Sequence, residues 1–488
     1  MKKTPYLDIL KSLLPSNEWE SFLEAYYKPS RSVGTKNITT ITHKGIQESE
    51  IQSHINGLSR PGQHFLHQGW FFYIQEQAAS LPAQVLLNDI NLASRVPHPK
   101  IILDMCAAPW GKSIQLADKL IDSAFIVSNE PIDPRRKALI FNINRTWCYN
   151  TMVTSYDGTR IGTLFPETFD KVLIDAPCSG EWMNYKIAIQ QSRDELKIKK
   201  IASLQYQLLK SWILACKPWW TIIYSTCTLN PIENEWVIAD IMREFLWKIE
   251  LENVDVQWKS TGMDNRRGER IMESNQASKL ARFRPHRNWI GGFFIAKIKK
   301  TVETWFITSV EAHNHVSPVK TLHATSLNST PALQSEVRKR LQEEFWIEKT
   351  DNYFFLETAN NIYITSSTYK NLPDHLKNNT CHGPFRGKIW IPIYDIGAFR
   401  KGRYHLPAEN RIPTHHLGNI LGHLATKNVI KLTDQQAQDY SDHKDISIPV
   451  ETLHATSLSG NPFIILTWQK KWFSIGKIVD WRIKNKMI

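Results

Sequence analysis

Two cysteines stand where chemistry rather than packing would put them. Cys178 lies in Asp175-Ala-Pro-Cys-Ser-Gly-Glu181, and Cys227 in Tyr224-Ser-Thr-Cys-Thr-Leu-Asn-Pro-Ile-Glu-Asn-Glu235. Each closely follows a short apolar run that reads as a buried strand. A lone cysteine in an apolar setting is usually inert core. Two at the carboxyl ends of strands, beside a ligand site, suggest thiolate chemistry.

Three further segments suggest that ligand site. Ile101-Ile-Leu-Asp-Met-Cys-Ala-Ala-Pro-Trp-Gly-Lys112 reads as a strand, a turn of small residues and a helix start. Small residues there let backbone N–H groups approach a ligand at the helix N-terminus. Asn129-Glu130 closes the next strand, where an acidic side chain commonly accepts the ribose hydroxyls of an adenosine-containing cofactor. Asp157, ending a third strand, is placed to accept from the adenine amino group.

The elements that position these residues alternate. Lys100–Cys106, Phe125–Glu130, Thr151–Asp157, Lys171–Asp175 and Thr221–Cys227 read as strands. Gly111–Leu120, Pro134–Arg145, Glu195–Ala215 and Ile232–Phe245 read as helices, with Ile201, Leu204, Leu208 and Trp212 on one face of the longest. Such alternation predicts an α/β, doubly wound and mostly parallel sheet, which binds ligands at the carboxyl ends of its strands. Helical patterns are also read at Trp19–Tyr27 and Phe71–Leu87, and an amphipathic helix rather than a signal peptide over Leu7, Leu10, Leu13 and Leu14. The expected organisation is an N-terminal α+β region over 1–85, a core over 86–300, a polar linker over 301–330 and a small α+β domain over 331–488. Pro318–Leu327 and Pro449–Leu458 are near-identical, and no physical account of that repeat is found.

Composition narrows the function. The chain has 488 residues, 42% hydrophobic and 22% charged, which excludes wholesale disorder and collagen. Sixty Lys and Arg against 47 Asp and Glu leave a net charge of +13, which with 11% aromatics fits a polyanionic partner such as nucleic acid. The six cysteines form no Cys-x-x-Cys pair, so no metal site is expected and a reducing cytoplasm fits. No apolar run approaches the roughly 18 residues of a membrane span. A cytoplasmic protein without membrane contact is expected, and a monomer.

With these motifs in view the chain resembles a known family. DMCAAPWGK, DAPCSGEWM and YSTCTLNPIENE are similar to the three signature motifs of the Nop/Sun family of RNA 5-methylcytosine methyltransferases, in particular the bacterial small-subunit type F. Tyr73-Ile-Gln-Glu76, Glu130 with Arg135, Asn142 with Arg145, and Arg282, Pro285-His286 and Gly292-Phe293-Phe294 extend the likeness over about 65–300. Arg400–Arg403 and the stretch from Gly476 to Asn485 resemble the family's RNA-binding C-terminal region more weakly.

The resemblance implies a Rossmann-like core that binds S-adenosylmethionine, through Cys106, Ala107, Ala108, Pro109, Trp110, Gly111, Lys112, Glu130, Arg135, Asp157 and Asp175. It implies that Cys227 attacks cytosine C6, that Cys178 assists product release, and that Asp175 holds the base. The target base must be flipped or unpaired. Arg266–Arg270 and Arg282–Arg287 are candidates for holding phosphates. DNA cytosine methyltransferases place their nucleophile in a segment like Pro177-Cys178 and lack the second cysteine, so Cys227 favours the RNA class. Ribosomal RNA is the expected substrate. Transfer RNA, or a non-catalytic role in ribosomal-RNA assembly, is the alternative.

Several tryptophans fall where the family pattern has glycine: Trp110, Trp182, Trp219 and Trp220. Trp147 stands at a helix end where glycine is usual, and Trp289, Trp472 and Trp481 look similar. An indole at 110 would crowd the cofactor's methionine half, and Trp219-Trp220 would occupy a tight turn. There are 18 Trp and 21 Gly, and reading all 18 as glycine would bring glycine to 8%, near the usual ~7%. A source that reads UGA as glycine would produce this pattern.

Overall fold

Apolar runs too short for helices build the centre of the molecule as one eight-stranded sheet. The structure, a computed structural model, describes residues 16–27, 38–42, 72–88, 100–108, 111–180 apart from 122 and 147, 195–301 apart from 258, 267, 289 and 290, 329–357, 361–373, 391–395, 429–447, 463–468, 471–479 and 482–484, with a few isolated positions between. The helix read over Leu7–Leu14, most of the linker, both copies of the repeat, Arg400–Arg403, and Pro109, Trp110, Trp147, Trp182, Trp289 and Trp481 lie outside the described residues.

Five parallel strands carry the fold: β3 (Lys100–Met105), β4 (Ala124–Asn129), β5 (Thr151–Thr154), β6 (Phe169–Asp175) and β7 (Cys216–Thr226). Antiparallel strands β8 (Ile249–Glu252), β9 (Ala281–Phe283) and β10 (Phe293–Lys300) complete the sheet, in the order β9-β10-β7-β6-β3-β4-β5, with β8 also on β10. The order reverses between β3 and β6. The crevice beyond their carboxyl ends is therefore the ligand site of this topology.

Both faces of the sheet are covered at its centre, which is why β3, β4, β5 and β6 are buried almost along their whole length, whereas the edge strand β8 alternates. Helices α2 (Gln77–Asn88), α3 (Gly111–Lys119) and α4 (Asp133–Thr146) bury Leu86, Ile114 and Ile143 on one face. On the other, α5 (Glu195–Ala215) and α6 (Glu235–Glu244) bury Leu208, Trp212 and Ile238. The described C-terminal residues form two α-helices, α7 (Pro331–Phe345) and α8 (Asp434–Ser441), and two further sheets of four and five strands. Among the described residues no helix is long and apolar enough to cross a membrane.

Four expectations are corrected. Phe72–Glu76 is a strand, β2, paired antiparallel with β1 (Ile38–Thr42), and the helix begins only at Gln77, where Glu76 Oε2 accepts from Ala79 N at 3.0 Å and caps it. Strand β5 stops at Thr154, short of Asp157. Leu204 is exposed, and α5 instead turns Ile198, Gln205, Leu208, Leu209 and Trp212 inward. Trp219-Trp220 is no tight turn but part of β7. Its pairing jumps there from Phe169↔Cys216 to Lys171↔Thr221, so a bulge absorbs the extra residues. Trp219 takes a left-handed conformation (φ 71°), whereas Trp220 is half-buried with Lys100 Nζ 5.3 Å from its ring.

Candidate active site

Strand β3 ends on a strained turn. Cys106 has φ 60°, and Ala107 N donates to Asn129 O at 3.0 Å, tying the turn to the end of β4. Arg135, on α4, donates to Ala108 O. Gly111 opens α3 against Gln75 of β2. A Cβ at 111 would come 2.8 Å from Gln75 Cδ, so this close approach suits glycine.

Beneath the turn, Asp104 is wholly buried and accepts a hydrogen bond from Ser113 Oγ, which in turn accepts from Ser128 Oγ at 3.0 Å. Burial, the largest influence, pushes its carboxyl from the ordinary 3.8 up to about 7. Its pKa in the folded chain therefore lies above that in the unfolded chain. Between about pH 4 and pH 7 the folded chain keeps a proton that the unfolded chain has lost, so stability falls as pH rises through that window. We expect Asp104→Asn to remove this dependence. In denaturant titrations at about pH 5 and pH 8, wild type should lose on the order of 3 kcal/mol relative to the variant. Parallel pH profiles would remove Asp104 as the cause.

Glu130 follows β4, is 1% exposed and accepts from Ile132 N at 2.9 Å through Oε1. Its Oε2 lies 3.4 Å from Arg135 Nε and makes no hydrogen bond. Both side-chain polar atoms of Gln75 are likewise buried without a hydrogen bond. Buried polar atoms are nearly always satisfied, so these around the turn fit a polar ligand seated there. Asp157 is exposed, and its Oδ1 accepts from Thr159 N (2.9 Å) and Thr159 Oγ1 (2.8 Å), capping a short 3-10 helix.

Neighbouring strands β6 and β7 bring the remaining residues together. Asp175 ends β6 beside Ser225, and its Oδ1 accepts from Ser225 Oγ at 3.2 Å. Its Oδ2 pairs with Lys112 Nζ at 2.8 Å, linking the first motif to the second. Cys178 and Cys227, 49 residues apart, meet with Sγ atoms 3.1 Å apart. The contact with Cys227, then burial, push the Cys178 thiol well above the ordinary cysteine range. At this distance either sulfur can donate a hydrogen bond to the other.

The basic run Arg282–Arg287 does not form the expected phosphate clamp. Arg282 is 1% exposed and paired with the equally buried Glu235, and it donates to Leu229 O at 2.8 Å. Arg284, His286 and Arg287 gather on Glu18, at the start of the N-terminal helix α1 (Trp19–Tyr27). An arginine read in isolation looks available, and only the fold reveals its partner. Arg270, by contrast, is exposed beside Glu273. The sequence reading missed Gln75, although its Tyr-Ile-Gln-Glu segment was noticed. It also gave no role to Glu233, which lies inside the third motif, or to Gln205, which carried no signal beyond its place on the long helix.

The chain is similar to known proteins. The family model "16S rRNA methyltransferase RsmB/F" matches residues 93–299. "Ribosomal RNA small subunit methyltransferase F" of Erwinia tasmaniensis is 27% identical over 425 residues, spanning 86% of this chain and 78% of the relative. The protein of that name from Pectobacterium atrosepticum is 34% identical over 270 residues, 51% of this chain and 54% of the relative. The crystal structure of PH0851 superposes with a TM-score of 0.50 at 22% identity, covering 60% of this chain and 65% of its own, and shares the fold. Over residues 93–299 the chain is thus similar to the RsmB/F (Nop/Sun) family of S-adenosylmethionine-dependent methyltransferases.

Proposed function

We propose that this protein methylates C5 of cytosine in RNA, with small-subunit ribosomal RNA as substrate, through a covalent bond between Cys227 and cytosine C6. The observation that carries this reading is the pair of sulfurs 3.1 Å apart beside Asp175, at the carboxyl ends of adjacent parallel strands. The ribosomal RNA in the names of the relatives supports the substrate.

Cytosine C5 is a poor nucleophile. Addition of the Cys227 thiolate to C6 makes an enamine, and C5 becomes able to take a methyl group. S-adenosylmethionine supplies that methyl group as an electrophile. Water takes the C5 proton, the electrons of that C–H bond close the C5=C6 double bond, and the bond between C6 and Cys227 Sγ breaks with its electron pair returning to sulfur as the thiolate. Cys178, held as a thiol, hydrogen-bonds to that sulfur and eases its departure. Asp175, fixed by Lys112 and Ser225, accepts from the amino edge of a base that is unpaired or flipped out. Glu130 would accept from ribose hydroxyls through its unsatisfied oxygen, Arg135 would steady Glu130 and the turn, and Cys106–Ala108 with Gly111 and Lys112 would line the methionine half. Asp157 would meet the adenine edge with the oxygen its cap leaves free. The division into 1–85, 86–300 and 331–488, with RNA binding in the last and all of it in the cytoplasm, completes the reading.

Bisulfite mapping of cellular RNA with and without the gene tests the proposal. We expect one cytosine of small-subunit ribosomal RNA to be protected only when the gene is present. A protected transfer-RNA cytosine would move the substrate, and no protected cytosine anywhere would favour an assembly factor. Calorimetry should show Glu130→Ala binding S-adenosylmethionine roughly 10–100-fold more weakly, the scale of a lost hydrogen bond to a charged group. Unchanged affinity would remove Glu130 from the site.

A further inference from the structure

Glu233 is fully buried, yet the reaction above gives it no part. Its carboxylate reaches from the segment after β7 to the loop that carries Cys178. Oε2 accepts from Ser179 N at 2.8 Å and Oε1 from Ser179 Oγ at 2.6 Å. Gln205, buried on α5, donates through Nε2 both to Pro177 O at 2.9 Å and to Glu233 Oε2 at 3.2 Å. The residues on either side of Cys178 are thus tied to one carboxylate. Tyr224, three residues before Cys227, donates its hydroxyl to Glu233 O at 2.7 Å and anchors that carboxylate's backbone to β7. One residue therefore holds the two sulfur-bearing segments in a fixed relation.

We propose that Glu233 is a positioning residue that, through Ser179 and Gln205, seats the Cys178 thiol against Cys227 and so governs release of the methylated RNA; this rests on the cysteine roles assigned above. A buried carboxylate does more here than an apolar filler. Its negative charge disfavours a second anion nearby, so the Cys178 proton stays on sulfur. When the bond between C6 and Cys227 Sγ breaks, its electron pair goes to Cys227 Sγ, and the Cys178 S–H hydrogen-bonds to the new anion. The C5 proton that this elimination also expels goes to water.

The test uses the full chain, S-adenosylmethionine carrying a labelled methyl group, and a transcript of small-subunit ribosomal RNA. Glu233→Gln keeps the size and one acceptor but removes the charge, and Gln205→Ala removes the tie to Pro177. For both we expect the first methyl transfer to persist, steady turnover to fall at least about tenfold, and a covalent protein–RNA adduct to accumulate on denaturing gels. KM for RNA should stay within about threefold of wild type, so that the loss falls on kcat. Wild-type turnover in Glu233→Gln overturns the proposal. So does loss of the first transfer together with a lowered melting temperature, the mark of a merely structural role. If wild type itself methylates with no adduct that depends on Cys227, the underlying cysteine assignment fails instead.

Backbone conformation singles out three tryptophans. Among the described residues, six non-glycine residues have positive φ, and three of them are Trp219 (71°), Trp247 (70°) and Trp346 (53°). Tryptophan makes up 18 of 488 residues, so three of six is far above its share. Bulky residues are outliers in this region, which glycine enters freely. Each position is a glycine position by its hydrogen bonds or its pairing. Trp219 stands in the bulge of β7. Trp247 stands in the turn from α6 to β8, where Lys248 N donates to Phe245 O at 2.8 Å. Trp346 follows α7, with Trp346 N donating to Gln342 O (2.9 Å) and Ile347 N to Leu341 O (3.2 Å), the glycine-favoured way to end a helix. All three are exposed.

We infer that the codons at 219, 247 and 346 are UGA and are read as glycine in the cell that makes this protein. Peptide mass spectrometry of the protein purified from that cell should find glycine at all three. Tryptophan at any of them, or UGG in the gene there, overturns the inference. In a standard host, Trp346→Gly should raise the melting temperature of the recombinant chain, and a lowered one would count equally against it.

Discussion

Cys227→Ala should abolish methyl transfer and form no RNA adduct, while Cys178→Ala should form the adduct and fail to release it. Both sulfurs are half-buried and meet each other at 3.1 Å, so either truncation is small in volume and both variants should fold. The difference lies in the chemistry. Without the sulfur at 227 nothing raises electron density at C5, and activity should fall by roughly a thousandfold or more. Without the thiol at 178 the first half of the reaction remains, and turnover stops with RNA attached. Single-turnover methyl transfer and a denaturing gel separate the two. The opposite pattern would exchange the roles of the cysteines, and an adduct in neither the wild type nor any variant would remove covalent catalysis altogether.

Arg282→Ala should cost about 3–5 kcal/mol of stability, the scale of leaving one partner of a buried ion pair alone. Arg282 and Glu235 are both essentially without solvent, and Met263 N also donates to Glu235 Oε1 at 3.1 Å. The guanidinium further holds Leu229 O, two residues beyond Cys227. A double variant, Arg282→Met with Glu235→Leu, should recover much of the stability because neither charge is then stranded. It should not recover full turnover, since the bond to Leu229 O is still missing. Denaturant unfolding of the two variants, paired with methylation rates, checks both halves. If Arg282→Ala unfolds like wild type but binds RNA more weakly, the side chain is a phosphate contact after all.

Local pattern made much of this protein readable before any coordinate. The bounds of Glu195–Ala215 came out unchanged, and five parallel strands fell within a few residues of their expected places, because apolar runs and 3.6-residue spacing are local signals. Cys178 and Cys227 were legible as a pair for a related reason: both follow strands, and strand ends in such a sheet share one edge. The N-terminal Phe72–Glu76 was misjudged because its pairing partner, Ile38–Thr42, lies about thirty residues away, and five residues carry too short a period to separate strand from helix.

Nearest-neighbour chemistry belongs to the amino-acid order, whereas charge fate belongs to three-dimensional packing. Nothing around Arg282 in the chain announces that Glu235 will neutralise it, nor that Glu233 and Gln205 will grip the loop of Cys178 from two other segments. Side chains tens of residues apart meet only once the sheet is assembled, and a buried ion or hydrogen bond depends on what else is excluded from water at that point. Residue types and spacings therefore singled out the candidate cysteines, and the folded chain decided which polar groups pack around them.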